Sequence, residues 1–196
     1  MSKDVNVLLV GVGGQGTILA SRIISFVARA KGLEVKLSET HGMAQRGGSV
    51  VTHLRAGEKI YSPLIDQGQA DIILSFERLE AWRWLPYLKK EGMVVVNSQV
   101  IYPVPVIMGY REYPENILEK IEKNVSRTFV VDALALAREA GNERTVNVAL
   151  LGVLARNLEF GKDVWLQALE SILPAKVLEP NRKAFLLGYG EEEFSA

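Results

Sequence analysis

Two glycine-rich stretches carry the residue types that could do chemistry. The first, Gly11-Val12-Gly13-Gly14-Gln15-Gly16, ends an apolar run and opens a segment with helical spacing. The second, Thr40-His41-Gly42-Met43-Ala44-Gln45-Arg46-Gly47-Gly48, sets an imidazole, an amide and a guanidinium among glycines. Glycines at a strand-to-helix turn let backbone amides and the helix N-terminus converge on one point, an arrangement that favours a bound anion, with a pyrophosphate as the natural guest. Gly11, Gly13, Gly14, Gln15, Gly16 and Thr17 are therefore candidate cofactor-binding residues. The other reading is steric, because a strand-to-helix turn in any doubly wound fold favours glycine. No catalytic residue is assigned. His41 is the candidate, as a proton shuttle or a donor to a ligand anion, and a structural hydrogen bond is its alternative role. His53, between Thr52 and Leu54 in a strand-like run, is read as structural.

A dinucleotide site would also want an acid at the end of the second strand, and Glu39 roughly fits that spacing. His41 and a second glycine-rich loop follow it at once. That points to a related but different use of the turn, with a stand-alone NAD-dependent dehydrogenase as the rival from another functional class.

The elements that must position these loops can be read in order. Val5-Asn6-Val7-Leu8-Leu9-Val10 suits a strand buried on both faces. From Thr17 to Lys31 the spacing is helical: Ile18, Ile23, Phe26, Val27 and Ala30 form an apolar stripe, while Arg22, Arg29 and Lys31 reach water. Gly32 closes that helix, and Leu33 to Ser38 reads as the second strand. Ser49 to Arg55 is strand-like, and a turn at Gly57-Glu58-Lys59 into Ile60-Tyr61-Ser62 predicts a hairpin added to the sheet. Ala70 to Phe76, Met93 to Asn97 and Thr128 to Asp132 are further strands.

Glu77 to Leu88 predicts a helix that Pro86 kinks or ends. Trp82 lies on its apolar stripe and Trp84 on a different side, for a subunit contact or partial burial in the same domain. Tyr102 to Pro105 is read as a connector. Helices are expected over 117–123, 133–140, 145–158, 164–173 and 179–187, with Asn147 satisfying a neighbouring loop and an acidic tail from Gly190. The expectation is one α/β domain over residues 1–196: a Rossmann-like, mostly parallel sheet with helices on both faces, an added hairpin and a C-terminal helical tail.

Composition limits the function. With 23 basic and 23 acidic residues the formal net charge is zero, so no global field attracts nucleic acid or an anionic membrane, and any anion site must be local. The chain has no cysteine and two histidines, which leaves no thiolate ligands for an iron–sulfur cluster and argues against a multi-histidine metal centre. Redox chemistry, if present, belongs to a partner. No apolar run reaches bilayer length, and the start Met1-Ser2-Lys3-Asp4 has no apolar core, so a cytoplasmic protein is expected.

The residues resemble the gamma-type subunits of the 2-oxoacid:ferredoxin oxidoreductases, and within that family the beta-subunit branch of the indolepyruvate enzymes. The likeness rests on Gly11 to Gly16, on Glu39 to Val50, on Tyr61-Ser62-Pro63-Leu64-Ile65 and on Asn181 to Tyr189, with the His-Gly-Met-Ala-Gln-Arg-Gly-Gly string as its most specific part. The resemblance implies a required subunit of an enzyme that decarboxylates aryl pyruvates such as indolepyruvate, passes electrons to ferredoxin and forms an acyl-coenzyme A. Pyruvate, 2-oxoisovalerate and 2-oxoglutarate enzymes are the alternatives. It further implies that a larger partner subunit carries thiamine diphosphate, Mg2+ and iron–sulfur clusters, and that this chain carries none and is inactive alone, with a homodimer possible in isolation.

Coenzyme A would enter as co-substrate. The glycine turn, together with Arg46, Gly47 and Gly48, would then hold its phosphates. Thr40, His41, Gly42, Met43 and Gln45 would contact coenzyme A or the partner.

Overall fold

The computed structural model describes residues 4–41 and 48–191. Strands β1 (Val5–Val12), β2 (Glu34–His41), β3 (Ser49–Gly57), β4 (Ala70–Ser75), β5 (Leu88–Asn97) and β6 (Arg127–Val131) form one sheet. Their order is β2-β3-β1-β4-β5-β6. The pairs β1/β4, β4/β5 and β5/β6 are parallel, whereas β3 runs antiparallel to both β1 and β2. The sheet is therefore mixed and mostly parallel.

The added hairpin exists, with different strands from those expected. It joins β2 to β3, in register Glu34 with Gly57 and His41 with Val50, so the glycine-rich loop lies between its two strands. Ile60, Tyr61 and Ser62 form no strand. Arg55 turns them back instead, donating from Nη1 to the carbonyls of Ser62 at 3.2 Å and Leu64 at 3.4 Å.

The apolar runs of the central strands sort by alternation into two cores. Val7 and Leu9 of β1, Ile72 and Leu74 of β4 and Met93 and Val95 of β5 share one core. Helices α1 (Thr17–Ala30), α5 (Ala133–Glu139), α6 (Val146–Arg156), α7 (Lys162–Ile172) and α8 (Ala175–Tyr189) supply its outer layer. Leu8, Val10, Ile73, Val94 and Val96 face the other way, onto Ala81 of α2 (Arg78–Trp84) and Ile117 and Ile121 of α4 (Ile117–Asn124). A strand covered on both faces has no polar side, which is why its sequence reads as an unbroken apolar run. A single further turn, α3 (Val104–Ile107), interrupts the connector expected from Tyr102 to Pro105.

Two helices differ from the reading of their spacing. In α1 the buried face is built largely from small residues, Ala20, Ser21, Ser25 and Ala28, beside Ile23, Ile24 and Val27. Ile18, counted in the apolar stripe, is exposed, as is Ala30. Ser21 and Ser25 enter the core because each hydroxyl donates to a carbonyl of its own helix, of Ile18 at 2.9 Å and of Ser21 at 2.7 Å. Helix α2 ends at Trp84; a 3-10 turn over Leu85–Tyr87 carries Pro86, and Leu88 already belongs to β5. That turn swings Trp84 inward, so its ring lies edge-on to His53 at 6.0 Å and tilted on Tyr87 at 4.8 Å. Partial burial, not a free surface, is its fate.

The α6/α8 crossing depends on two glycines. A Cβ on Gly152 would run into the backbone of Phe185, and one on Gly188 into the carbonyl of Ala149. This close approach seats the end of the Asn181 to Tyr189 motif and fixes α6, whose first turn reaches the glycine turn.

Candidate functional site

The carboxyl ends of β1 and β4 define the site. α1, which follows β1, packs on one face of the sheet, and α2, which follows β4, packs on the other. A crevice between adjacent parallel strands whose connections depart to opposite faces is where open α/β sheets take ligands. The glycine turn sits at this point. Gly14 (φ 99°) and Gly16 (φ 83°) both lie in the left-handed region that side chains disfavour. Gly14 is exposed, with nothing within 4 Å of where a Cβ would stand. Gly16 begins α1 without any side-chain cap, so the amides of Thr17, Ile18 and Leu19 have no carbonyl one turn back and face the edge with the positive end of the helix dipole.

Two side chains hold the turn in shape. Gln15 folds back over β1: its Oε1 accepts from the Val12 amide at 2.7 Å and its Nε2 donates to the Phe76 carbonyl at 2.9 Å. Both polar ends of Gln15 are thus spent on backbone, and Gly11 is glycine because a Cβ there would stand 2.8 Å from Gln15 Oε1. From the opposite side, buried Asn147 donates through Nδ2 to the Gly16 carbonyl at 3.3 Å and accepts at Oδ1 from the Val148 amide at 3.0 Å. Thr17 is buried at the start of α1. Of the proposed set, Gly13, Gly14 and Gly16 form the open turn, while Gly11 and Gln15 support it.

The second loop meets this turn. Gly13 donates its amide to the Gly48 carbonyl at 2.9 Å, and the next pairs are Val12 with Ser49 and Gly11 with Val50. Thr40 and His41 are the last residues of β2. Gly42, Met43, Ala44, Gln45, Arg46 and Gly47 lie outside the described residues. Glu39 is on β2, and β3 stands between β2 and β1. Interstrand spacing is about 4.8 Å, so that acid is one strand further from the glycine turn than a dinucleotide clamp requires.

A polar network that the sequence reading missed underlies the same edge. Glu77, buried after β4, accepts from the Glu80 amide at 3.0 Å, from the Tyr113 hydroxyl at 2.6 Å and from the Ile101 amide at 3.4 Å. The Glu80 carboxylate, also buried, accepts from the Ser49 hydroxyl at 2.6 Å and lies 3.5 Å from Arg83. Burial pushes the Glu80 carboxyl up from its ordinary range, against the opposing effects of Ser49 and Arg83. Burial, and then the bond to Glu77, raises the Tyr113 hydroxyl. Asn97 donates to the Phe76 carbonyl at 3.2 Å and accepts from the Ala133 amide at 3.3 Å. The available signal was Glu77 and Glu80 three apart directly after a buried strand, the spacing of a capping carboxylate.

His53 is a core residue. Its Nδ1 accepts from the Ile65 amide at 3.1 Å, and burial lowers its pKa while Asp66 partly raises it. Grooves of about 600 Å³ and 770 Å³ open at the amino ends of the strands, beside Leu88 and beside Val5 and Met93, and share no residue with the candidate set. Among the described residues there is no cluster of three or more metal-ligating side chains, and no helix is long and apolar enough to cross a membrane.

Comparison with known proteins gives these features a family context. A model of the pyruvate ferredoxin/flavodoxin oxidoreductase family matches residues 6–191. The chain is 40% identical over 193 residues to the indolepyruvate oxidoreductase subunit IorB of Thermococcus kodakarensis, with 95% of each chain covered. It is 29% identical over 153 residues, 74% of each chain, to the pyruvate/ketoisovalerate oxidoreductases common subunit gamma of Pyrococcus furiosus. The crystal structure of the keto/oxoacid ferredoxin oxidoreductase gamma subunit from Geobacter sulfurreducens PCA superposes with a TM-score of 0.70 at 24% identity, covering 95% of this chain and 96% of that one.

Proposed function

Because the chain belongs to the pyruvate ferredoxin/flavodoxin oxidoreductase family, we propose that it is the small subunit of a 2-oxoacid:ferredoxin oxidoreductase that acts on aryl pyruvates, with indolepyruvate as the leading substrate. The enzyme would release carbon dioxide from the 2-oxoacid, pass two electrons to ferredoxin and transfer the acyl group to coenzyme A. Thiamine diphosphate with Mg2+ and iron–sulfur clusters, held by a larger partner subunit, would supply the decarboxylation and electron-transfer chemistry. The higher identity to the indolepyruvate relative than to the pyruvate/ketoisovalerate one supports the aryl substrate.

This chain's own task is to hold coenzyme A. The observation that carries the reading is the Gly13 to Gly48 hydrogen bond, which joins the glycine turn to the last residue of the second glycine-rich stretch. The open N-terminus of α1 would take a phosphate on the amides of Thr17, Ile18 and Leu19, and Arg46 would pair with it as a charged donor. Gly14, exposed and at φ 99°, gives the turn its left-handed step. The chain has no cysteine to ligate an iron–sulfur cluster of its own, in keeping with that division of labour.

The test is reconstitution with the larger subunit, following ferredoxin reduction. Arg46→Ala should raise the coenzyme A KM about tenfold or more, the loss of one charge-assisted contact being worth about 1.5–3 kcal/mol. Indolepyruvate should be turned over faster than pyruvate. An unchanged KM would remove Arg46 from the role, and oxoacid turnover by the lone chain would overturn the partner-dependent reading.

A further inference from the structure

The connection from β5 to α4 carries a feature that coenzyme A binding does not explain. Between Ile101 and Tyr113 the chain makes a compact loop whose neck closes on one buried carboxylate: Glu77 Oε1 accepts from the Ile101 amide at 3.4 Å and from the Tyr113 hydroxyl at 2.6 Å. Tyr102 packs edge-on against Tyr113 at 5.3 Å, and the Arg78 guanidinium lies 5.4 Å from the Tyr113 ring centre. The loop's amides bond within the loop: Ile107 to the Pro103 carbonyl at 3.1 Å, Met108 to Val104 at 2.9 Å, and Tyr110 to Pro105 at 2.8 Å. Gly109, at φ 74°, makes the return.

A loop with its own hydrogen bonds usually turns apolar side chains inward. This one points them at water: Tyr102 is 56% exposed, Val104 54%, Ile107 71%, Met108 58% and Tyr110 74%. Tyr102 to Tyr110 contains no charged residue. These five side chains leave on the order of 500 Å² of mostly apolar surface, more than half of the roughly 800 Å² that each side of a standard interface buries. Aromatic residues and Met are the types enriched in interface cores, where charge is depleted.

We propose that residues 102–110 are the anchor by which this chain docks onto the larger subunit of its oxidoreductase, seating in an uncharged, apolar groove there. The inference rests on the reading of the chain as a partner-dependent subunit. The location of the neck argues for that occupant. Glu77 directly follows Phe76, whose carbonyl receives both Gln15 Nε2 of the glycine turn and Asn97 Nδ2. A protein seated on the anchor thereby meets the chain at the strand ends that hold the glycine turn. The internal hydrogen bonds mean that the anchor is formed before docking, so little ordering entropy is lost on association.

The experiment titrates purified larger subunit with wild-type chain and with the double variant Ile107→Asp/Met108→Asp, reading the Kd, together with the mass of the isolated chain by light scattering. Both residues already face water, so the variant should melt like the wild type. The expected result is a Kd weakened at least about 30-fold, as for loss of a central hot spot, with the isolated wild-type chain monomeric. Equal affinity of variant and wild type would overturn the anchor and leave the assigned function standing. A wild-type dimer that the double variant breaks would make a second copy the occupant, which also overturns it. Failure of the wild type itself to bind the larger subunit would bring down the functional reading and the anchor with it.

Discussion

The amide of Gly13 donates to the carbonyl of Gly48 across 2.9 Å, and these two residues are 35 positions apart in sequence. That one bond joins the turn after β1 to the residue that re-enters β3. It places the uncapped N-terminus of α1 near Gly48, and the antiparallel β1/β3 register sustains it from Val12 and Ser49 inward.

Asn147 should matter to the turn through Gly16 alone. Asn147→Leu keeps the volume but removes the side-chain donor to the Gly16 carbonyl, which retains the Ala20 amide, and the acceptor of the buried Val148 amide. An unpaired buried amide costs about 1–3 kcal/mol. The urea midpoint should fall accordingly, and in the reconstituted enzyme the coenzyme A KM should rise more than kcat falls. A loss confined to kcat would mean that Asn147 does not act by positioning the turn.

Glu80 should weaken the fold as pH rises. Burial raises its carboxyl above the ordinary 4.5, so its contribution is fully present below that value and is lost as pH rises through the folded-state value. Glu80→Gln keeps an acceptor for the Ser49 hydroxyl without the charge. Urea midpoints at pH 5 and pH 8 should show the variant gaining on the wild type at the higher pH, moderated by the lost Arg83 pair. A difference independent of pH would contradict the assignment.

His53 should act in the opposite direction. Its folded-state pKa is lowered by burial from the ordinary 6.5, so its stabilising contribution is complete above about pH 6.5 and declines as pH falls through the lowered value. The wild type should lose stability over that interval, and His53→Gln, which cannot take up the proton, should be flatter there. Denaturant midpoints from pH 7.5 to 4.5 measure it, and parallel curves would be the contrary result.

Much of this arrangement was legible because it follows from local rules. The buried strand from Val5, the turn at Gly11 to Gly16, the closure of α1 by Gly32 at φ 78° and the stop at Pro86 each depend on a few neighbouring residues. The insertion of β3 between β2 and β1 is a matter of pairing, and apolar periodicity records which face a strand buries, not which strand lies beside it. Ser21 and Ser25 escaped because a hydroxyl bonded to its own helix reads as polar while behaving as small filler. Glu77 and Glu80 escaped for the converse reason. Acids at helical spacing read as solvent-facing, and only the distant Ser49, Ile101 and Tyr113 reveal that they are enclosed. In the second loop, the residues that distinguish the motif were legible only as a string.

The β2/β3 hairpin fixes both ends of the second glycine-rich stretch, Thr40 and His41 on one side and Ser49 on the other. Strand alignment is carried by eight paired positions, Glu34 with Gly57 through His41 with Val50. With that many pairs anchoring the frame, point substitutions beyond His41 should change the chemistry offered at the sheet edge and leave the two strands aligned.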